Sequence, residues 1–221
     1  MPNGVKRQPK AARRYEAPRR AEQAAATRRA VLAAARELFV SRGYRPTTVA
    51  DIAARAGVAV DTVYAAVGRK PVLLRQLVET ALSGGDHAVP AVQRDYVTRI
   101  RAAPDAREKL HIYADAVALI QQRLAPVFLA LRDGAATDPD CAALWTEISE
   151  RRARNMRDLA ADLRSTGQLR ADLSNDEVAD IIWSLNAAEH YVLLVHQRGW
   201  QPSRFGTWLA DAWTRILLTD P

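Results

Sequence analysis

The chain has 221 residues, 48% hydrophobic and 6% aromatic, with a formal charge of +7 at pH 7. That length is enough to bury a sizeable core, and the single cysteine, Cys141, excludes an internal disulfide and fits a reducing compartment. Residues 1–29 hold nine Lys/Arg against two Glu, 30–82 hold seven against four acids, and 83–221 hold sixteen against nineteen, so a basic front end suited to nucleic acid precedes a slightly acidic remainder.

Ala, Leu, Arg and Asp dominate, while strand-favouring Ile, Phe and Tyr are scarce, which predicts an all-α chain. Residues 1–21, with Pro2, Pro9, Pro18 and scattered Lys/Arg, read as a disordered basic arm. A helix is expected over 22–42, with Val31, Ala34, Ala35, Leu38 and Phe39 on one face and Gly43 as its stop. A second begins at Thr48, where Asp51 completes a capping box, and ends at Gly57. A third covers 60–67 and stops at Gly68. The fourth starts at Lys70-Pro71, a tolerated place for proline, and runs to Leu82 before Ser83-Gly84-Gly85 breaks the chain.

Longer helices are predicted beyond that boundary, over 87–102, 105–123, 125–133, 138–165, 175–198 and 202–218. Pro126 is expected to separate the second from the third, since proline opposes a continuing helix. Caps are expected at Thr137-Asp138-Pro139 and Ser174-Asn175-Asp176. No apolar run nears the roughly 18 residues of a membrane span, and no hydrophobic segment follows the basic N-terminus before Val31. A cytoplasmic protein without a membrane partner is expected.

Residues 49–63 read V-A-D-I-A-A-R-A-G-V-A-V-D-T-V. Two short helices joined by a glycine-containing turn form the sequence shape of a helix-turn-helix. Ala53 is small where the second helix presses on the first, Gly57 supplies a left-handed turn, and Val63 fills a shared core with Ile52 and Val58.

Around this motif, A-A-R-E-L-F-V-S-R-G-Y (34–44), T-T-V-A-D-I-A-A-R-A-G-V (47–58), D-T-V-Y (61–64) and G-R-K-P-V-L-L (68–74) follow one another. In these pieces the chain resembles the N-terminal domain of the TetR family of regulators. E-H-Y-V-L-L (189–194), R-G-W (198–200) and W-L-A-D (208–211) extend the likeness more weakly into the body. The resemblance implies an N-terminal three-helix head at 22–82, whose third helix enters a major groove, and a helical ligand-binding and dimerisation body at 83–221.

Carried over residue by residue, the DNA-binding set is Arg45, Thr47, Thr48, Val60, Asp61, Thr62, Tyr64 and Lys70. Thr47 and Thr48 would meet phosphates at a helix start, although Thr48 also serves as a plain cap. Tyr64 would use its hydroxyl, unless it packs in the core, and Lys70 would act from the start of helix 4. Thr62 would meet a phosphate or a base edge. Val60, Asp61, Thr62 and Ala65 form the small reading surface; Asp61 suits cytosine N4 and Ala65 a thymine methyl. The family often has a serine where Ala59 stands, which removes a cap worth about 1 kcal/mol. It often has an aromatic at Val67 and bulkier residues at Ala65 and Ala66.

The resemblance further implies a homodimer built on the last two helices, with Trp183, Ala187, His190, Leu194, Trp208 and Trp213 as interface candidates; the alternative is an ordinary monomeric core. A twofold dimer would set two recognition helices about one DNA turn, roughly 34 Å, apart. An effector pocket is implied, with Tyr113, Phe128, Trp145, Met156 and Trp183 as its candidate lining, also readable as core packing. The lack of a dense charged cluster favours a hydrophobic or aromatic small molecule. His87, His111, His190 and His196 have no metal-ligand spacing, and no phosphate loop, nucleophile elbow or CxxC occurs. No catalytic residue, metal or cofactor is therefore expected. The functional expectation is a regulator, by default a repressor, that binds a double-stranded DNA operator. The alternative is a helical dimeric interaction protein without specific DNA binding.

With such slim base contacts, much of the affinity is expected from the arm, whose Arg13, Arg14, Arg19, Arg20, Arg28 and Arg29 would lie along the backbone or enter a minor groove. Deleting residues 1–21 is expected to weaken operator binding and to flatten its salt dependence by about 0.9 in slope per lost phosphate contact. An unchanged slope in a salt titration would remove the arm from the interface.

Overall fold

The computed structural model describes residues 11–85 and 89–219, with side chains from residue 19 onward. Helix α1 spans Ala11–Arg42, α2 Val49–Ala56, α3 Val60–Ala66 and α4 Lys70–Ser83. After a 3₁₀ turn at Ala91–Gln93 come α5 (Asp95–Ala102), α6 (Ala106–Ala135), α7 (Pro139–Arg164), α8 (Asn175–Leu185), α9 (Ala188–Tyr191), a π-helical turn at Val192–Gln197 and α10 (Pro202–Leu217). An all-α chain is what the composition predicts, and the described residues contain no strand beyond a single bridge between Leu169 and Leu218.

Four expectations need correction. Helix α1 begins at Ala11 rather than near residue 22, because Ala and Arg, good helix formers, dominate 11–21. Only 1–10 of the expected arm remain, outside the described residues. The helix expected over 87–102 begins at Asp95, and residues 86–88 lie outside the described set.

Pro126 does not break the chain: α6 runs unbroken through it for 30 residues. An interior proline costs about 3 kcal/mol, but Ala125 and Val127 are wholly buried, with Leu124 and Phe128 nearly so, and packing on both flanks holds the helix. The predicted helix over 175–198 is interrupted at Asn186–Ala187 and ends in a π-helical turn.

One buried core runs from Val31 on α1 to Leu217 on α10. Helix α6 is its axis and packs against α4, α5, α7, α9 and α10. By length and composition alone, α6 and the 175–197 stretch are apolar enough to cross a membrane. Sixteen buried residues on α6 show what that hydrophobicity does here. The far end of the body is closed by the 165–174 loop: Arg170 N–H reaches Leu217 O at 2.9 Å, and Gln168 Oε1 accepts from Ala106 N–H at 2.7 Å.

The α1–α4 head meets the body at Gly134. A Cβ there would stand 2.9 Å from Tyr44 Cδ1 and 3.3 Å from Cys141 Sγ. The Tyr44 ring has little room to yield, because its hydroxyl donates to Asp138 Oδ2 at 2.7 Å and the ring packs 5.4 Å from Phe39. Gly134→Ala is expected to cost about 1–3 kcal/mol by overpacking, lowering the thermal midpoint by roughly 2–10 °C. Gly85→Ala, where a Cβ meets nothing within 4 Å, should leave it unchanged in the same calorimetric scan.

Candidate nucleic-acid interface and effector cavity

Thr48 caps α2. Its Oγ1 accepts from Asp51 N–H at 3.1 Å, while Asp51 Oδ2 accepts from the Thr48 N–H at 2.8 Å and its hydroxyl at 2.7 Å. These bonds from Thr48 hold the Asp51 carboxyl below its ordinary pKa. Gly57 then takes φ +69°, and a Cβ there would meet nothing within 4 Å. The glycine is needed for its backbone angle rather than for space, since a left-handed non-glycine residue costs about 1–2 kcal/mol. Past the turn, α3 has no side-chain cap at Ala59, as the sequence implies.

Val63 is wholly buried and anchors α3 against Ile52 and Ala53. Away from that anchor, Val60 is 39% and Tyr64 49% exposed, with Asp61 and Ala65 also exposed and Thr62 half-buried. Tyr64 therefore stands clear of the core. Arg28 Nη1 donates to Ala66 O at 2.9 Å and closes the C-terminal end of α3, so this arginine is already engaged.

Two residues of the expected DNA-binding set turn inward. Thr47 is 1% exposed, and its hydroxyl donates to Gly43 O at 2.8 Å and Leu38 O at 3.3 Å. Lys70 Nζ donates to Tyr44 O at 2.8 Å and Thr47 O at 2.9 Å and sits 3.9 Å above the Tyr44 ring; burial pulls its pKa down. Both side chains tie the α1–α2 loop to α4. Arg45 and Thr48 are exposed, as are Arg42 and Arg69, which the motif comparison passed over. Arg69 directly precedes Lys70, and only the fold shows that the first faces out and the second in.

Head and body are joined along α4. Arg75 holds Glu147 through two hydrogen bonds of 2.9 and 2.7 Å. Arg151 pairs with Glu79 at 2.7 Å. Arg123 Nε donates to Ala81 O near the end of α4 at 3.1 Å. From α1, Arg36 Nη2 reaches Arg123 O at 3.3 Å.

Inside the body, α4, α5, α6 and α7 enclose a cavity of about 560 Å³. Tyr113 and Met156 line it, as expected from the sequence. Phe128, Trp145 and Trp183 do not. Phe128 and Trp145 stack on each other at 4.5 Å, and the Trp183 ring lies beneath the Arg152 guanidinium at 5.0 Å. Sequence reasoning missed a polar chain in the wall. Arg152 Nη2 donates to Asn186 Oδ1 and, at 3.1 Å, to Trp183 O. Asn186 Nδ2 donates to the Tyr113 hydroxyl at 2.9 Å, and that hydroxyl lies 3.4 Å from Met156 Sδ. Gln121 Nε2 reaches Asn186 O at 2.7 Å. Burial raises the Tyr113 pKa and lowers that of Arg152. An Asn on the buried Val178–Ile182 stripe was the available signal.

Among the interface candidates, Trp183, Ala187, His190, Leu194 and Trp208 are partly exposed. Trp213 is wholly buried and stacks on Tyr113 at 5.4 Å. It belongs to the core and not to a subunit contact, a correction forced by the inward turn of α10 onto α6.

Residues 31–76 match the family model described as bacterial regulatory proteins, tetR family. No curated protein matches the chain. Solved structures share the fold. NalD from Pseudomonas aeruginosa, the secondary repressor of the MexAB-OprM multidrug efflux pump, is 19% identical over 90% of this chain and 98% of its own, with a TM-score of 0.69. The MbdR regulator from Azoarcus sp. CIB is 23% identical over 87% and 100%, with a TM-score of 0.66. A protein from Saccharomonospora viridis, named as a transcriptional regulator and solved with choline, is 20% identical over 87% and 98%, with a TM-score of 0.65.

Inward and outward side chains of the head should separate in thermal scans. Thr47→Val removes a buried hydroxyl and its two acceptors' partner, at about 1 kcal/mol, lowering the midpoint by roughly 2–4 °C. Tyr64→Ala should leave it within about a degree, as a surface change does.

Proposed function

We propose, for a chain that belongs through its N-terminal domain to the TetR family of transcription regulators, that it binds a double-stranded operator as a homodimer and acts as a repressor released by a small molecule held in the body cavity. The observation that carries this reading is the two-sidedness of α3. Val63 locks the helix into the head, while Val60 and Tyr64 stand 39% and 49% exposed away from that anchor. A seven-residue helix gains nothing for its own stability by presenting an apolar and an aromatic side chain to water. In a major groove they meet bases and sugar-phosphate.

Val60, Asp61, Thr62 and Ala65 face base edges in this reading, and Tyr64, Thr48 and Arg45 meet phosphates. With Lys70 turned inward, its neighbour Arg69 takes the phosphate contact at the start of α4. Trp183, Ala187, His190, Leu194 and Trp208 contribute to the twofold contact, and the division falls at residues 22–82 for the head and 83–221 for the body. The repressor role finds support in NalD, and a small-molecule site in the choline complex. The protein works in the cytoplasm without catalysis.

Release requires the effector to favour a head spacing that does not fit the operator. The wall contributed by Glu79 and Leu82 on α4 offers the route.

Fluorescence anisotropy with the intergenic DNA beside the protein's own gene tests the reading. Salt-sensitive, sequence-selective binding by the wild type is expected, with Tyr64→Ala or Arg69→Ala weakening it roughly tenfold each, about 1.4 kcal/mol. A dimer that shows no selectivity for any such fragment would instead support a helical interaction protein.

A further inference from the structure

The cavity is mostly apolar, yet three arginines of its lining, Arg94, Arg101 and Arg152, form no ion pair among the described residues, and Arg152 is the one packed into the wall between Asn186 and Trp183. Arg152 lines the cavity, and no described carboxylate forms an ion pair with it. Its hydrogen-bond acceptors are neutral, the Asn186 side chain and the Trp183 carbonyl, and both are served by Nη2 alone. Nη1 and Nε, with three N–H groups between them, donate to nothing among the described residues.

Arg94 Nε donates to Val89 O at 3.2 Å and Arg101 is exposed, while the other neighbouring charges are committed to partners or face solvent. Arg151 is bound to Glu79 at 2.7 Å, and Asp162 to Lys109 at 2.9 Å. Glu189, whose charge reaches Arg152 from a distance, is paired with Arg132 at 3.1 Å. Asp158, in the cavity lining, is exposed. A guanidinium withdrawn from water is costly unless an anion or several acceptors compensate it. Here the compensation within the chain is partial. Asn155, three residues further along α7 and so on the same helical face, also lines the cavity.

We propose that the effector is an amphipathic monocarboxylate: its apolar part fills the space bounded by α4, α5 and α6, and its carboxylate is received by Arg152 with help from Asn155. A carboxylate matches the fork of a guanidinium in two parallel hydrogen bonds, which an alcohol cannot reproduce and an amine opposes. The apolar remainder of the lining, with Ile148 one turn before Arg152 on α7 and Leu124 and Val117 on the facing α6, disfavours small hydrophilic acids. The Trp183 ring behind Arg152 holds the cation in place and leaves its other face to the ligand. The site sits one residue pair from the α4 contact, because Arg151 and Arg152 are adjacent and Arg151 holds Glu79. The idea rests on the effector-controlled reading above, but it concerns the cavity alone and is measured without DNA.

Isothermal titration of the full-length protein with two matched series decides it: decanoate, decanol and decylamine, and phenylbutyrate with its alcohol and amine. At least one acid is expected to bind roughly tenfold more tightly than its alcohol and amine. Arg152→Met should abolish that preference while leaving alcohol binding in place. Equal or weaker binding of both acids, no binding at all, or an acid preference that survives in Arg152→Met overturns the proposal. Should that variant fail to fold, the wild-type series decides alone. Acid-selective binding without any operator would keep the anion site and sink the regulator reading; operator binding without acid selectivity would do the reverse.

Discussion

Helix α4 is shared by two packing problems at once, and the rest of the molecule is arranged around that sharing. Leu73, Leu74 and Val78 are wholly buried and Leu77 nearly so, in contact with α1 on one side and α6 and α7 on the other. Its first turn is held by Lys70 to the α1–α2 loop, and its last by Arg123 to α6. Between those ends, Glu79 and Leu82 form part of the cavity wall. Close-packed interiors transmit displacement rather than absorb it. A change in what fills the cavity therefore presses on the same helix that supports α1 and, through it, α3.

Polar groups are used in opposite ways at the two ends of α4. In the head, Thr47, Asp51, Lys70 and Arg28 spend their hydrogen bonds on the protein itself, fixing the loop and the helix ends. What faces outward includes Val60, Asp61, Tyr64 and Ala65 on α3 and the exposed Arg42, Arg45 and Arg69. In the body the polar chain from Arg152 through Asn186 to Tyr113 is satisfied in part, and Gln121 Oε1 has no partner among the described residues. In the proposed reading the incompletely satisfied cavity is the part with interaction free energy to gain from a small molecule.

Much of the head was legible in the sequence because its signals act over a few residues. Thr48 with Asp51 announces the start of α2, Gly57 the turn and Gly68 the stop of α3, and Ser174 and Asp138 cap α8 and α7 as expected. The misreadings arise where distant burial overrides a local preference. Pro126 lies inside a helix because its neighbours pack on both flanks, and Asn186 breaks one because three residues from α6 and α7 claim its polar groups. Inward or outward facing was equally illegible for Lys70, Arg69, Thr47 and Trp213. Neither residue type nor periodicity separates a lysine that reaches a phosphate from one that reaches two carbonyls 23 and 26 residues away. Arg152 escaped notice for the same reason, since an arginine on an amphipathic helix ordinarily faces water.

The claim on which the account stands is that α3 sits in a DNA groove. A nuclease footprint of the full-length protein on the intergenic DNA flanking its gene tests this most directly. Protection of two half-sites about one helical turn, roughly 34 Å, apart is expected, lost in Tyr64→Ala at equal concentration. A uniform or absent pattern at low salt, from protein shown to be a folded dimer, would contradict it.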